Sequence, residues 1–213
     1  QPLLVSVDLG GDDTYLDPVG ANAGDRYPVS VHIDVSGDDL YTYPEAEDAA
    51  DEARLPPDEA GRFDLAPRGF GVSASTVGRQ GSGRAGIGLL YDWSGDDRYR
   101  SLRMSQGYAH HGVGVLYDAW GDDDYRVEDG GQGAGQYGVG LLIDDDGNDV
   151  RRALSRAQGH GFVGGVGITV DRQGDDVYVC DAEAPLVHPS EQLTDRNVSL
   201  CQGAGFGWRH DDP

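Results

Sequence analysis

One short motif returns along this chain at a fixed step, and that step restricts what the chain can become. An Asp is followed by a Gly-Asp-Asp turn and then a Tyr in Asp8/Gly11/Asp12/Asp13/Tyr15, Asp34/Gly37/Asp38/Asp39/Tyr41, Asp92/Gly95/Asp96/Asp97/Tyr99, Asp118/Gly121/Asp122/Asp123/Tyr125 and Asp171/Gly174/Asp175/Asp176/Tyr178. A sixth copy, Asp144/Gly147/Asn148/Asp149, has Asn in the middle and Arg151 in place of the Tyr. Gly11 to Gly37, Gly95 to Gly121 and Gly121 to Gly147 are each 26 residues, and Gly147 to Gly174 is 27. Gln80, Gln106, Gln132 and Gln158, each before a Gly, keep the same 26-residue step; Asn22 falls in phase with them, and Gln202-Gly203 opens one more copy. A period of roughly 20 to 50 residues marks a stacked repeat architecture. Residues 1–213 therefore read as a single solenoid domain, and the ends of the sequence, inside a strand-like run and inside a repeat, suggest a fragment of a longer array.

Ahead of each turn, three columns are apolar in every copy: Leu3/Val29/Ile87/Val113/Val139/Val166, Val5/Val31/Leu89/Val115/Leu141/Ile168 and Val7/Ile33/Tyr91/Tyr117/Ile143/Val170. The interleaved columns are mixed (Ser6, His32, Leu90, Leu116, Leu142, Thr169) or mostly Gly (Gly88, Gly114, Gly140, Gly167). Alternation with period two is the strand signal, and the uniformly apolar columns are expected to face the interior, the mixed ones solvent. The Tyr opens a second short strand and the Gln-Gly segment a third. The fold expected is all-β, a right-handed parallel β-helix of about six to seven 26-residue coils, with the Tyr column stacked as an aromatic ladder. The G-x-G-x-x-G matches at Gly81, Gly133 and Gly159 recur once per coil with no helix after them, so they mark corners and not a dinucleotide site.

Two insertions break the period, at approximately 44–76 and 181–200, both between a Tyr and the next Gln and hence at one corner. The first contains Glu45 to Leu55, a good helix former followed by Pro56-Pro57, and is expected to hold a short helix. Cys180 and Cys201, the only cysteines, flank the second. Both ends of an insertion on a continuous solenoid lie close together, so a Cys180–Cys201 disulfide is expected, and with it an oxidising compartment: cell surface, medium or periplasm.

The acidic charge follows the same columns. The chain has 38 acidic and 16 basic residues, all Arg, for a net charge of -22, and 17 of the acids lie in the three repeat columns. Such a chain lacks the basic footprint that nucleic acid needs, and no apolar run approaches the roughly 20 residues that span a bilayer. Stacked coils place each Asp over another, and carboxylates about 5 Å apart repel by roughly 1 to 3 kcal/mol per pair. A hard divalent cation relieves this, and calcium takes six to eight oxygens from carboxylates and carbonyls. Asp side chains can also cap turn amides without metal. The candidate ligands are Asp8, Asp12, Asp13, Asp34, Asp38, Asp39, Asp92, Asp96, Asp97, Asp118, Asp122, Asp123, Asp144, Asn148, Asp149, Asp171, Asp175 and Asp176.

SGDDRYR, WGDDDYR, QGDDVYV and DGNDVRR resemble the G-x-D-x-U half of the nonapeptide of calcium-binding parallel β-rolls, the repeats-in-toxin class. The resemblance covers one corner per coil. It implies calcium held between successive coils by the last turn Asp: Asp13, Asp39, Asp97, Asp123, Asp149 and Asp176. The period departs from that class, at 26 against 18 residues per turn.

No Ser/His/Asp arrangement, paired catalytic acids or Cys/His zinc pattern stands out, and the histidines share no column. Trp93 and Trp120 occupy matching turn positions one coil apart beside the carboxylates, where exposed rings would offer a stacking site for sugar. The function expected is that of a secreted or cell-surface calcium-stabilised structural or adhesive solenoid, associating end to end or with other surface proteins. The alternative is a β-helix that binds or cleaves polysaccharide.

Overall fold

The computed structural model describes residues 3–22, 27–43, 78–180 and 200–205. Each coil supplies one strand to each of two parallel sheets, and three of the coils add a short strand to a third. The first sheet holds β1 (Leu3–Val7), β3 (Val29–Asp34), β6 (Ile87–Asp92), β9 (Val113–Asp118), β12 (Val139–Asp144) and β14 (Val166–Asp171), in that order. The second holds β2 (Thr14–Tyr15), β4 (Leu40–Tyr41), β7 (Arg98–Arg103), β10 (Asp124–Asp129), β13 (Val150–Ser155) and β15 (Val177–Cys180). The third is short, with β5 (Gly83–Arg84), β8 (Ala109–His110) and β11 (Gly135–Gln136). Register follows the repeat: Leu89 pairs with Val115 and Val115 with Leu141, and Tyr41, Tyr99, Tyr125, Arg151 and Tyr178 align across the second sheet.

This is the expected parallel β-solenoid, with about five turns where six to seven were expected. No helix occurs among the described residues, and the helix expected at Glu45 to Leu55 lies outside them. Cys180 and Cys201 form a disulfide with Cα atoms 6.2 Å apart.

The faces of the first sheet are reversed from the sequence expectation. The mixed column points inward, with Leu90, Leu116 and Leu142 fully buried, and the uniformly apolar columns point outward, Leu3 being 60% exposed and Ile87 45%. Space is the reason. A Cβ at Gly88, Gly114 or Gly140 would overlap the backbone carbonyl of Ser82, Tyr108 or Ala134 on the opposite wall, so the interior there admits no side chain. The lumen is instead filled by single files: the leucines, the carboxylates that end the first strands, the tyrosines and the glutamines. Tyr15, Tyr41, Tyr99 and Tyr125 stack in sequence at centroid distances of 4.8 to 4.9 Å, the ladder that their column predicts.

The glutamine file closes the corner. Gln80, Gln106, Gln132 and Gln158 all have positive φ, between 49° and 54°, a left-handed conformation uncommon outside Gly. Their side-chain amides offset the strain by tying two coils together. Gln106 Nε2 donates to the Tyr99 carbonyl of its own coil (2.9 Å) and the Arg126 carbonyl of the next (2.8 Å), and the other three repeat the pattern.

Candidate metal centre

The three acidic columns separate into two kinds of position. Asp12, Asp38, Asp96, Asp122, Asn148 and Asp175 are exposed and link turn to turn: from Asp38 onward the amide N–H of each donates to the side-chain oxygen of the residue one coil earlier, as Asp96 N–H donates to Asp38 Oδ1 (3.0 Å) and Asp122 N–H to Asp96 Oδ1 (3.0 Å). The last turn acids link in the opposite sense, Asp39 N–H donating to Asp97 Oδ1 and Asp97 N–H to Asp123 Oδ1, both at 2.7 Å. Asp13, Asp123 and Asp149 donate likewise to Asp39, Asp149 and Asp176. Amide capping, the metal-free role open to these residues, is thus present in both turn columns.

The inner columns do more. The turn brings the last Asp back over the Asp that ends the first strand, and stacking adds the turn Asp of the preceding coil. Four groups result: Asp39/Asp92/Asp97, Asp97/Asp118/Asp123, Asp123/Asp144/Asp149 and Asp149/Asp171/Asp176, each offering oxygens within 4.8 Å of one another. Asp97, Asp123 and Asp149 are each shared by two groups. Of the remaining candidates, Asp34 accepts Tyr15 Oη on one oxygen, Asp8 accepts the Gly10 amide, and Asp8, Asp13 and Asp34 belong to none of the four groups.

Asp34, Asp92, Asp118 and Asp144 each have one oxygen satisfied and one not. Tyr41 Oη donates to Asp92 Oδ2 (2.6 Å), Tyr99 Oη to Asp118 Oδ2 (2.6 Å) and Tyr125 Oη to Asp144 Oδ2 (2.7 Å). The other oxygens, Oδ1 of Asp92, Asp118 and Asp144, are fully buried and meet no donor. A buried carboxylate oxygen without a partner is expensive, and here it lies among further carboxylates. Their titration reflects this. Burial, then the neighbouring Asp92 charge, pushes Asp97 up to about 10. Burial likewise raises Asp39 to about 7 and Asp123 and Asp149 to about 8, against the amide bonds that favour the ionised forms. Asp92, Asp118 and Asp144 are raised by the same burial.

The coil that lacks a Tyr supplies a cation of its own. Arg151, 0% exposed, extends where the ring would lie and donates from Nη2 to Asp144 Oδ2 (2.8 Å) and Asp149 Oδ2 (3.0 Å), and from Nη1 to Asp171 Oδ2 and Tyr178 Oη (2.9 Å). Its charge stands among the carboxylates of the third and fourth groups. Burial opposes that charge, but the surrounding Tyr125 and Asp144 outweigh the opposition and keep it firmly protonated. From the sequence, Arg151 is a lapse in the Tyr column; in the structure it is the position, among the described residues, where a guanidinium enters the acidic file.

Trp93 and Trp120 are 50% and 51% exposed, but they do not occupy matching positions. Gly37 N–H donates to the Ser94 carbonyl and Gly95 N–H to the Trp120 carbonyl, so Trp120 aligns with Ser94, one residue past Trp93. The register counted from Asp92 and Asp118 would have shown this offset. Comparison with protein-family models, curated proteins and solved structures found no match.

Proposed function

We propose that this chain is a calcium-stabilised structural solenoid of the cell exterior, a stiff element whose coils are held together by ions between their acidic corners. The observation that carries the proposal is the run of close carboxylate groups in consecutive coils, whose first-strand Asp92, Asp118 and Asp144 each keep a buried Oδ1 without a donor, while Arg151 sets a guanidinium against the Oδ2 atoms of the two groups in the coil where the Tyr is lost. The donors are carboxylates and phenol hydroxyls, with no nitrogen or sulfur, which suits a hard cation such as calcium. The two groups that Arg151 does not touch contain Asp39, Asp92, Asp97, Asp118 and Asp123. Ionised together, these five acids would carry five negative charges, which two divalent ions would reduce to one by displacing the protons that burial favours. The disulfide fits an oxidising compartment, and no helix among the described residues is long and apolar enough to cross a membrane.

Binding to the folded form alone stabilises it by mass action, so thermal melting in calcium and in chelator tests the proposal. Calcium is expected to raise the midpoint, and Asp97→Ala or Asp123→Ala to remove most of that rise. Identical midpoints in calcium and chelator would remove the ion from the account.

A further inference from the structure

We propose that the outer face of the first sheet is a self-association surface on which two copies of this chain pack side by side. The proposal does not depend on metal. Its basis is the reversal of faces: each of the six strands turns three positions outward, and all of these are aliphatic or Tyr. Leu89, Tyr91, Val115, Tyr117, Leu141 and Ile143 form the middle of the patch, with Tyr91 and Tyr117 stacked at 4.8 Å. On a chain of net charge -22, a sheet face without one charged side chain does not reflect a shortage of polar residues.

Size distinguishes this patch from ordinary surface apolarity. Six strands spaced about 4.8 Å apart, each about six residues long at about 3.3 Å per residue, cover a face of about 550 Å². That is at the top of the range that soluble monomers leave exposed, roughly 300 to 600 Å². Two such faces in contact bury about 1,100 Å², above the roughly 1,000 Å² expected of a specific interface.

Shape and charge select a second copy as the occupant. In-register coils give the face ridges at the strand spacing, and a surface with that corrugation complements itself, as a two-fold interface requires. A two-fold axis parallel to the solenoid axis sets the strands of the two copies antiparallel. It places the Gly-Asp-Asp turns of the copies at opposite edges of the contact, so the acidic columns remain apart and hydrated. The two sheets would then pack about 10 Å apart, as in a β-sandwich.

Sedimentation equilibrium over about 1 to 100 µM protein tests this. The wild type is expected at twice its 22.7 kDa. Leu89→Glu and Val115→Glu are expected at the monomer mass, with dimer affinity reduced at least 100-fold and the circular dichroism spectrum retained, because neither side chain lies in the lumen. Should a Glu variant unfold, Val115→Cys decides: a short bismaleimide is expected to join two copies at this central position. A wild type that stays at 22.7 kDa throughout overturns the proposal, as does a dimer that survives Val115→Glu or a Val115→Cys protein that does not cross-link. Adsorption of a strictly monomeric protein to an alkyl resin overturns it too, by assigning the face to another apolar partner.

Discussion

Replacing Arg151 by Tyr would restore the residue that the other coils carry and withdraw the guanidinium that faces Asp144, Asp149 and Asp171. Removing one partner from a buried ionic cluster costs about 3 to 5 kcal/mol, because the charges left behind are uncompensated. For a chain of this length each kcal/mol lowers the melting midpoint by about 2 to 4 °C, so R151Y in chelator should melt about 6 to 20 °C below the wild type. In calcium the vacated groups can take ions, and less than half of that loss should remain. Nine carboxylates in the four groups would then face four divalent ions, where the wild type leaves five facing two. Bound calcium measured by equilibrium dialysis is therefore expected to rise from two to four per chain. An equal loss in calcium and chelator, with an unchanged ion count, would refute the interchange of guanidinium and metal. No loss in chelator would show that protons already neutralise these acids.

The raised carboxylates also set a pH dependence. The folded forms of Asp39, Asp123, Asp149 and Asp97 titrate at about 7, 8, 8 and 10, whereas the unfolded chain releases those protons near 4. Their contribution to stability is therefore complete below about pH 4 and is lost as pH rises through the folded values. In chelator the midpoint should fall steadily between about pH 5 and 9, and calcium should flatten the fall by replacing the departing protons; a midpoint that climbs with pH in chelator contradicts the assignment. At the turn, a Cβ on Gly121 would overlap the Gly95 carbonyl oxygen, which belongs to the rigid backbone of the neighbouring coil. Gly121→Ala should cost about 3 kcal/mol or more, and a chemical-denaturation curve superimposable on the wild type would show that the turns can separate.

Spacing alone carried much of the fold. The 26-residue step fixes the parallel register, the Tyr ladder and the alignment of the Asp columns, because stacked coils must place equivalent residues over one another. The direction of the first sheet was hidden because uniform apolarity is the usual mark of a core. Here the lumen is too narrow at Gly88 and its equivalents for any side chain, and too full of carboxylates at Asp92, Asp118 and Asp144 to be uniformly apolar. The signal was present, since a column that is mostly Gly within a strand, at Gly88, Gly114, Gly140 and Gly167, implies close backbone approach. The glutamines were visible as landmarks and silent as to role, for a bond to two carbonyls across the lumen leaves no local pattern. Within the site, the sequence showed three acidic columns but not which face inward, and one exception at Arg151 but not its ion pairs.

The Asp shared between neighbouring groups makes this rod extensible in a particular way. Each coil meets only a near-duplicate of itself above and below, so duplicating one 26-residue unit would lengthen the rod by about 4.8 Å without redesigning any junction. The duplicate would bring one further inner Asp pair and, with it, one further group of close carboxylates. Length could thus be altered by simple genetic slippage, each added unit carrying its own acidic group into the stack.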